Sequence, residues 1–387
     1  MVTKSQQNHG SYMRLFPLAI ELSSLGYEVT LVCPHENRNL RTNIKKVSKN
    51  LTLILLPRFT YRTRYIGIFY RAMLTLVILR RKKFDIFHVC APAVPETWTV
   101  TLLGKITNTP LLVDIDDLWG AMSDGYRWIV ESVVEEILTR NALSTSSRII
   151  TASSFLQKRF ANLTKNKIDV LWNGVEKSIF STVNRERARE RLMKQFGFLP
   201  ETKVVIAQLD GPMFQYMFAA LQNLRNIGMK IVVLMIGALP EGENTSKQNH
   251  NLHQKGIFMT SRMDRSSYID ALAGSDAILF LMEDSEWERA RFPIKLTEFL
   301  ASGTPIVSFP VGESQIILDA AGYDKKLYTK LDELAITSSL KFCLENEKHV
   351  TRIAISAKNF VIKNLFWDQI AEKLSAIYQE MLGQKDS

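Results

Sequence analysis

The sequence predicts an α/β protein with two doubly wound, Rossmann-like domains that face a cleft. Three observations support this prediction. Apolar, strand-like segments alternate with amphipathic, helix-like segments along most of the chain, and they do so in two successive series. Alternation of this kind is typical of parallel sheets that are covered by helices on both faces. The length of 387 residues also fits two domains of ordinary size better than one.

The first series predicts an N-terminal domain over residues 1–175. Its predicted strands are 27–33, 51–56, 84–89, 109–115, 147–153 and 167–173. Its predicted helices are 12–24, 62–82, 94–106, 127–143 and 154–162. Residues 1–8 carry too few apolar side chains for a central strand, so we expect the first strand of this sheet to be missing and the chain to be truncated or to start late.

The second series predicts a C-terminal domain over residues 176–365. Its predicted strands are 203–209, 229–237, 255–260, 276–282 and 304–309. Its predicted helices lie near 213–227, 266–274, 294–302 and 348–382. The charged stretch 176–201 is predicted to be a linker between the domains.

Cysteine usage and short motifs exclude several classes of protein. Cys33, Cys90 and Cys343 are scattered and form no CxxC pattern, which argues against a disulfide scaffold or a metal site and fits a reducing, cytoplasmic compartment. No GxGxxG follows a predicted strand, which disfavours a dinucleotide-binding dehydrogenase. The longest apolar run, residues 65–79, is interrupted by Arg71 and is shorter than the ~20 residues that a membrane span needs.

Positive charge is concentrated in the N-terminal part of the chain. The net charge is +10, and residues 41–84 contain 12 Lys and Arg but no Asp or Glu. This charge predicts an anionic partner, and the absence of any nucleic-acid-binding motif disfavours DNA or RNA. Residues 58–83 mix Arg with aromatic and aliphatic side chains, as in helices that lie on anionic bilayers. The alternative is a buried helix that merely ends in the basic residues 80–83.

Several segments resemble, in the same order along the chain, the retaining GT-B glycosyltransferases of the glycosyltransferase family 4 type. These segments are 21–34, 84–92, 111–120, 151–160, 170–180, 291–307 and 364–382. The resemblance implies transfer of a sugar from a UDP- or GDP-linked donor to a saccharide or lipid-linked acceptor, in polysaccharide or glycolipid assembly. It implies retention of configuration, no metal and no further cofactor. It also implies that residues 366–387 form a helix that crosses back to the first domain.

The segment RFPIKLTEFLASGTPIV (291–307) resembles the donor-binding helix of this family. The resemblance implies that Glu298 binds the ribose hydroxyls, for which a carboxylate is well suited because it can accept two hydrogen bonds from a diol. Lys295, with Arg291 and the N-terminus of the helix at Pro293, would stabilise the diphosphate leaving group. Thr297, Gly10 and Ser11 complete the implied donor-side residues. The alternative is that Lys295 and Glu298 are only a solvated pair one turn apart.

On the acceptor side, the resemblance implies that Asp116 is catalytic and that Asp117 and His88 face the acceptor. Alternatively, Asp117 is only a turn or N-cap residue. Likewise, His88 can be a histidine that only packs in the core. A peripheral location at the inner face of the membrane would follow if the acceptor is lipid-linked.

The chain departs from the family pattern at several positions. Ala290 replaces the first glutamate of the donor motif, residues 208–218 lack the expected Arg and Lys, and Asp116 replaces a histidine. Arg289, Arg262 and Arg265 are candidates to replace the missing cations. These departures leave two alternatives to a glycosyltransferase function. One is a non-catalytic binding or scaffold subunit, and the other is a nucleotide-sugar epimerase.

Overall fold

The computed structural model describes residues 1–7, 10–59, 64–90, 95–118, 126–177, 183–209, 211–238 and 247–383. The chain divides into two units, each built on its own β-sheet. Unit 1 comprises Met1–Gly174, Ala290–Phe292 and Trp367–Ser387, and unit 2 comprises Val175–Arg289 and Pro293–Phe366. The predicted α/β class with two parallel sheets is confirmed.

Unit 1 contains an eight-stranded sheet with the order β3-β4-β2-β1-β5-β6-β7-β8. Its strands are β1 (Val2–Thr3), β2 (Val29–Pro34), β3 (Asn43–Lys46), β4 (Leu51–Leu56), β5 (Phe87–Cys90), β6 (Leu111–Ile115), β7 (Arg148–Thr151) and β8 (Ile168–Val170). All neighbouring strands are parallel apart from β3, which runs antiparallel to β4. Every residue of β2, β5, β6 and β7 is buried, as expected for a sheet that is covered on both faces.

Six helices accompany this sheet in the described part of unit 1. They are α1 (Tyr12–Ser24), α2 (Arg64–Leu79), α3 (Pro95–Thr107), α4 (Tyr126–Thr145), α5 (Ser154–Ala161) and, at the end of the chain, α15 (Trp367–Gly383). Helix α15 packs along α1, and the Tyr27 and Ser375 hydroxyls lie 2.7 Å apart.

The prediction that the first strand is missing is wrong. Strand β1 occupies the central position between β2 and β5, where Val2 pairs with Val32 and Val89. The Val32 amide donates a hydrogen bond to the Met1 carbonyl. Two residues are enough to pair the backbone groups of the neighbouring strands at this point, so a long apolar run is not required.

Unit 2 contains a five-stranded, fully parallel sheet with the order β11-β10-β9-β12-β13. Its strands are β9 (Lys203–Gln208), β10 (Ile231–Met235), β11 (Ile257–Met259), β12 (Ala277–Leu281) and β13 (Ile306–Phe309). Its helices are α6 (Arg185–Phe196), α7 (Phe214–Asn226), α8 (Lys247–Gln254), α9 (Arg265–Gly274), α10 (Glu286–Ala290), α11 (Ile294–Ser302), α12 (Glu313–Ala320), α13 (Glu333–Glu345) and α14 (Glu347–Asn364).

The charged stretch 176–201 is not simply a linker, because residues 185–196 form helix α6 of unit 2. This helix packs against α9 through buried Ala188, Leu192 and Met193. Arg189 donates to the Asp276 carboxylate at 2.6 Å. The apolar stripe that anchors α6 is narrow and lies among many charges, which is why the stretch resembles a linker in the sequence. Residues 178–182 lie outside the described residues.

Helix α11 begins and ends as the sequence predicts. Pro293 is its N-cap, and Gly303 follows its last turn with φ +75°, a left-handed conformation that disfavours residues with a Cβ. Leu296, Phe299 and Leu300 are buried and fix one face of the helix on the sheet.

We expect Gly303→Ala to destabilise unit 2 by about 1–2 kcal/mol, because an L-residue pays this cost in the left-handed region. The added Cβ would lie 3.3 Å from the Lys358 Cδ, and that side chain can move. Urea unfolding measures the effect. Gly211→Ala is the matched control, because its Cβ would meet no atom within 4 Å. Equal losses of stability in both variants would contradict this explanation.

Candidate functional site

A cavity of about 400 Å³ lies at the carboxyl ends of strands β9 and β10 in unit 2. In doubly wound sheets, ligands bind at this edge. The cavity combines apolar walls with charged and hydrogen-bonding groups. Its lining residues are Ile206, Ala207, Gln208, Ile236, Gly237, Arg262, Met263, Arg265, Tyr268, Lys295, Glu298 and Phe299.

Helix α11 brings Lys295 and Glu298, two of the predicted donor-side residues, to this cavity. The buried face of α11 orients the helix, and the spacing of three residues places both side chains on the same side. The Lys295 ammonium donates to the Gln208 side-chain carbonyl at 2.6 Å. Gln208 ends strand β9, in the segment that lacks the family's cations. Lys295 is therefore positioned by the end of the first strand of unit 2.

The Glu298 carboxylate is held by two groups from helix α9. Arg265 Nη1 lies 2.7 Å from Glu298 Oε1, and the Tyr268 hydroxyl donates to Oε2 at 3.1 Å. The side chain of Glu298 is only 14% exposed, so this pair differs from the solvated Lys–Glu pair of the alternative interpretation. Burial, and then the nearby Glu298 carboxylate, raise the pKa of Tyr268 above its usual range, so the phenol keeps the proton that it donates.

The remaining donor-side residues on this segment do not line the cavity. Pro293 caps the helix, as expected. Thr297 is fully buried, and its hydroxyl donates to the Ile294 carbonyl at 2.6 Å. Arg291 belongs to unit 1, where its Nε lies 3.9 Å from Asp117 Oδ2. The donor-side roles predicted for these three residues stay predictions.

A second cluster of polar residues lies inside unit 1, around the buried guanidinium of Arg14. Arg14 Nε donates to Asp114 Oδ2 at 2.8 Å, and its two terminal nitrogens donate to Asn173 Oδ1 at 2.7 Å and to the Leu171 carbonyl at 2.9 Å. Asp114 is 0% exposed and Arg14 is 2% exposed. This cluster joins helix α1, strand β6 and the chain after β8.

His88 links this cluster to the C-terminal helix. Its Nδ1 lies 2.7 Å from the Tyr378 hydroxyl and its Nε2 lies 3.4 Å from Asp114 Oδ2. His88 is 2% exposed, and burial lowers its pKa although the Asp114 carboxylate opposes the shift. Both ring nitrogens therefore have partners inside unit 1, which favours the interpretation of His88 as a structural residue.

Asp114 and Asp116, two residues apart, have opposite electrostatic environments. Burial alone would raise the pKa of Asp114, but the Arg14 guanidinium lowers it below its usual value. Burial, and then the Asp114 carboxylate, raise the pKa of Asp116. Asp116 Oδ1 is buried and has no hydrogen-bond partner among the described residues. Asp114 Oδ1 is also buried without a hydrogen-bond partner among the described residues, so both carboxyl groups of this cluster have capacity for a further hydrogen bond.

Gly10, Ser11 and Asp117 lie in unit 1 as well. Gly10 has φ +48°, and the Ser11 amide donates to the Ser5 hydroxyl at 3.0 Å, so the turn before α1 requires glycine. The Ser11 hydroxyl lowers the pKa of Asp116, against the larger effect of burial. The structure thus brings Ser11 close to Asp116. Asp117 Oδ1 accepts a hydrogen bond from the next amide, that of Leu118, at 2.8 Å.

The sequence analysis did not identify the residues that contact the predicted site residues and hold them in place. Asp114 carries a recognisable signal, because a carboxylate inside an apolar strand requires a buried cationic partner. Arg14 and Tyr378 carry none, since each lies on an ordinary amphipathic helix. Among the described residues, no group of three or more His, Cys, Asp or Glu side chains could hold a metal ion.

The N-terminal part of the chain matches a sequence model of Glycosyltransferase Family 4 over residues 13–178. An uncharacterised glycosyltransferase of Methanocaldococcus jannaschii is 21% identical over 160 residues, which are 41% of this chain and 39% of that protein. The alignment thus spans about two-fifths of the length of this curated relative.

Solved structures with similar folds cover nearly the whole chain. A glycosyltransferase from Rickettsia africae has a TM-score of 0.68 at 15% identity, with 98% of both chains covered. Anabaena HepE, solved in complex with UDP and glucose, has a TM-score of 0.64 at 12% identity, with 98% of this chain and 99% of the other covered. These likenesses confirm the predicted GT-B fold.

We expect unit 1 to lose stability as the pH falls from 7 to 5, partly because of His88. Its pKa is lowered by folding, so below about 6.5 the unfolded histidine takes up a proton that the buried ring does not. His88→Gln should therefore show a shallower fall of melting temperature with pH. Differential scanning calorimetry at several pH values measures this slope. His253→Gln, in unit 2, is the control, and a slope unchanged by His88→Gln would refute the assignment.

Proposed function

We propose that the chain, which matches a model of Glycosyltransferase Family 4 over residues 13–178 and has the GT-B fold, transfers a sugar from a nucleotide-sugar donor to a hydroxyl group. The acceptor is a saccharide or a lipid-linked saccharide in polysaccharide or glycolipid assembly. The family match over residues 13–178 supports the activity. The UDP and glucose bound to HepE, a protein of the same fold, support a nucleotide-sugar donor.

The observation that carries this proposal is the cavity of unit 2, in which Lys295 and Glu298 lie together beside apolar walls. Its volume of about 400 Å³ is within the range of small-molecule sites. In the proposed complex, Glu298 accepts hydrogen bonds from the ribose and Lys295 stabilises the diphosphate leaving group, with the N-terminus of α11 adding its positive end. The departing diphosphate carries most of the developing negative charge, so these groups supply the main catalytic effect.

On the acceptor side, we propose that Asp116, whose Oδ1 has no hydrogen-bond partner among the described residues, accepts a hydrogen bond from a sugar hydroxyl. Transfer with retention needs no strong enzyme base, because a diphosphate oxygen of the leaving donor can take the acceptor proton. Asp117 would assist on the same side. Retention of configuration and independence of metal follow from the family resemblance.

We expect Glu298→Gln to weaken binding of the cognate nucleoside diphosphate at least tenfold, or about 1.4 kcal/mol. The amide can accept at only one of its two terminal atoms, and its partner Arg265 is left with an unneutralised charge. Calorimetric titration with UDP and GDP in EDTA measures the affinity and identifies the base.

Lys295→Ala provides a complementary comparison. It should weaken binding of the nucleoside diphosphate but not of the nucleoside, whereas Glu298→Gln should weaken both. Failure of the folded wild-type protein to bind UDP or GDP would refute the proposed donor class. Turnover of a nucleotide sugar without any acceptor would favour an epimerase instead.

We further propose that helix α2 brings unit 1 to an anionic membrane surface, at the inner face of the membrane. One side of α2 packs in the core of unit 1 through Thr75 and Leu79. The alternative of a buried helix does not hold for the whole apolar part of α2, because four apolar side chains at helical spacing are exposed. They are Ile66 (66% exposed), Phe69 (64%), Tyr70 (45%) and Met73 (68%).

The charge around α2 complements a layer of anionic headgroups. Residues 80–83, two Arg and two Lys, follow the helix and are all exposed. Residues 60–63 of the basic stretch 41–84 lie outside the described residues. No helix in the described part of the chain is long and apolar enough to cross a membrane. Contact through a helix surface is therefore the form of membrane binding that we propose.

We expect the variant Ile66→Ser/Phe69→Ser/Met73→Ser to bind vesicles that contain phosphatidylserine at least tenfold more weakly than the wild type. The exposed apolar side chains would otherwise enter the interface between headgroups and acyl chains. Co-sedimentation at low salt measures the partition coefficient.

Leu334→Ser is the control, because Leu334 is 66% exposed on α13 of unit 2. Binding of the wild type should also fall when salt is raised or when neutral vesicles are used. If the wild type does not sediment with anionic vesicles at low salt, the membrane proposal is wrong.

A further inference from the structure

We propose that Arg265 and Tyr268 are positioning residues that orient the Glu298 carboxylate for a cis-diol and so give the cavity its selectivity for ribonucleotides. Neither residue belongs to the motif at 291–307. The inference rests on the proposed donor binding in unit 2, and it adds the residues that would set the sugar specificity of the nucleotide. It concerns the ribose of the nucleotide, not the transferred sugar.

The first step of the argument is the hydrogen-bonding capacity of Glu298. An ionised carboxylate has about four acceptor sites, two on each oxygen. Arg265 occupies one site on Oε1, and the Tyr268 hydroxyl occupies one site on Oε2. Among the contacts described for Glu298, one site on each oxygen is left. Two sites on two fixed, neighbouring oxygens match the two hydroxyl donors of a ribose.

The second step is that the two partners also fix each other. The Arg265 guanidinium carbon lies 5.8 Å from the centre of the Tyr268 ring, within cation–π distance. Arg265 opens helix α9, whose N-cap Asp264 accepts a hydrogen bond from the Ser267 amide at 3.0 Å. Glu298 is thus held by two side chains that start from one capped helix and contact each other. Its orientation is set before any ligand arrives, which lowers the ordering cost of binding.

The third step is electrostatic. A carboxylate that is 14% exposed has lost most of its contact with water, and Arg265, from helix α9, supplies a compensating cation. The described contact of Arg265 joins Nη1 to Oε1, whereas Oε2 accepts a hydrogen bond from the Tyr268 hydroxyl, so the cation and the neutral donor approach different oxygens. A bidentate pair would leave fewer acceptor sites for a diol.

The test compares a ribonucleotide with its 2′-deoxy analogue. Calorimetry with UDP and dUDP, and with GDP and dGDP, gives the ratio of the dissociation constant of the deoxy ligand to that of the ribo ligand. We expect the wild type to prefer the ribonucleotide by tenfold or more. Tyr268→Phe removes only the hydroxyl, and Arg265→Met removes the cation but keeps an aliphatic chain. Both should reduce the preference at least threefold, and the double variant should bring it close to one.

Arg262→Met is the matched control. Arg262 lines the same cavity and carries the same charge, but it has no described bond to Glu298. It should change the affinities for both ligands by the same factor and leave the preference unchanged. Circular dichroism and melting temperature establish that each variant is folded.

The possible outcomes distinguish the positioning role of Arg265 and Tyr268 from the proposed binding of a nucleotide in the cavity. A preference that is unchanged or increased in both Tyr268→Phe and Arg265→Met overturns the positioning role. A wild type that binds UDP and dUDP, or GDP and dGDP, equally well overturns the assignment of Glu298 to the ribose. A wild type that binds none of these nucleotides refutes the proposed donor class itself.

Discussion

The ion pair between Arg14 and Asp114 is the interaction on which the architecture of unit 1 depends. Both side chains are withdrawn from solvent. Arg14 bonds Asp114, the Asn173 side chain and the Leu171 carbonyl, whereas Asp114 contacts Arg14 and His88 through Oδ2. Breaking a buried pair of this kind by removing one partner typically costs 3–5 kcal/mol, because a charge is left uncompensated. The pair connects α1, β6 and the end of the segment after β8. Through His88 it also reaches β5 and α15.

The described carboxylates show how the environment assigns different roles to one chemical group. Asp114 is committed to a buried cation and acts within the fold. Asp116, next along the same edge, has a raised pKa. In both aspartates Oδ1 has no hydrogen-bond partner among the described residues, but Oδ2 of Asp114 is bonded to Arg14 and His88. Glu298 has one described partner on each oxygen. The three carboxyl groups thus differ in the cation that faces them and in the oxygen that remains for a further hydrogen bond.

The sequence was sufficient to predict the architecture wherever a local pattern carries the information. Helix α11 was predictable because Pro293, Gly303 and the apolar spacing between them each have a local conformational meaning. Strand β1 was not, because a two-residue strand has no periodicity and is defined only by its neighbours. Helix α6 was mistaken for a linker because tertiary contacts from only a few apolar residues outweigh its highly charged composition.

For the candidate sites, the motif indicated Lys295 and Glu298 but not the groups that orient them. Gln208, Arg265 and Tyr268 are distant in sequence from α11 and meet it only through the order of strands in the sheet. The same holds for Tyr378, which lies 290 residues from its partner His88. Long-range polar contacts of this kind depend on side-chain geometry, on which composition and spacing carry no information.

The placement of α15 has a consequence for the synthesis of the protein. Unit 1 is completed by residues 367–383, although the rest of its sheet and helices lies before residue 175. During translation, the His88 side chain therefore has no Tyr378 to bind, and α1 has no α15 to cover it, until residues 367–383 have left the ribosome. Unit 2, whose segments from 175 to 366 are all made earlier, can finish folding before the unit that precedes it in the sequence. Completion of unit 1 therefore depends on residues that are synthesised after all of unit 2, whereas domains usually fold from the N-terminus to the C-terminus during synthesis.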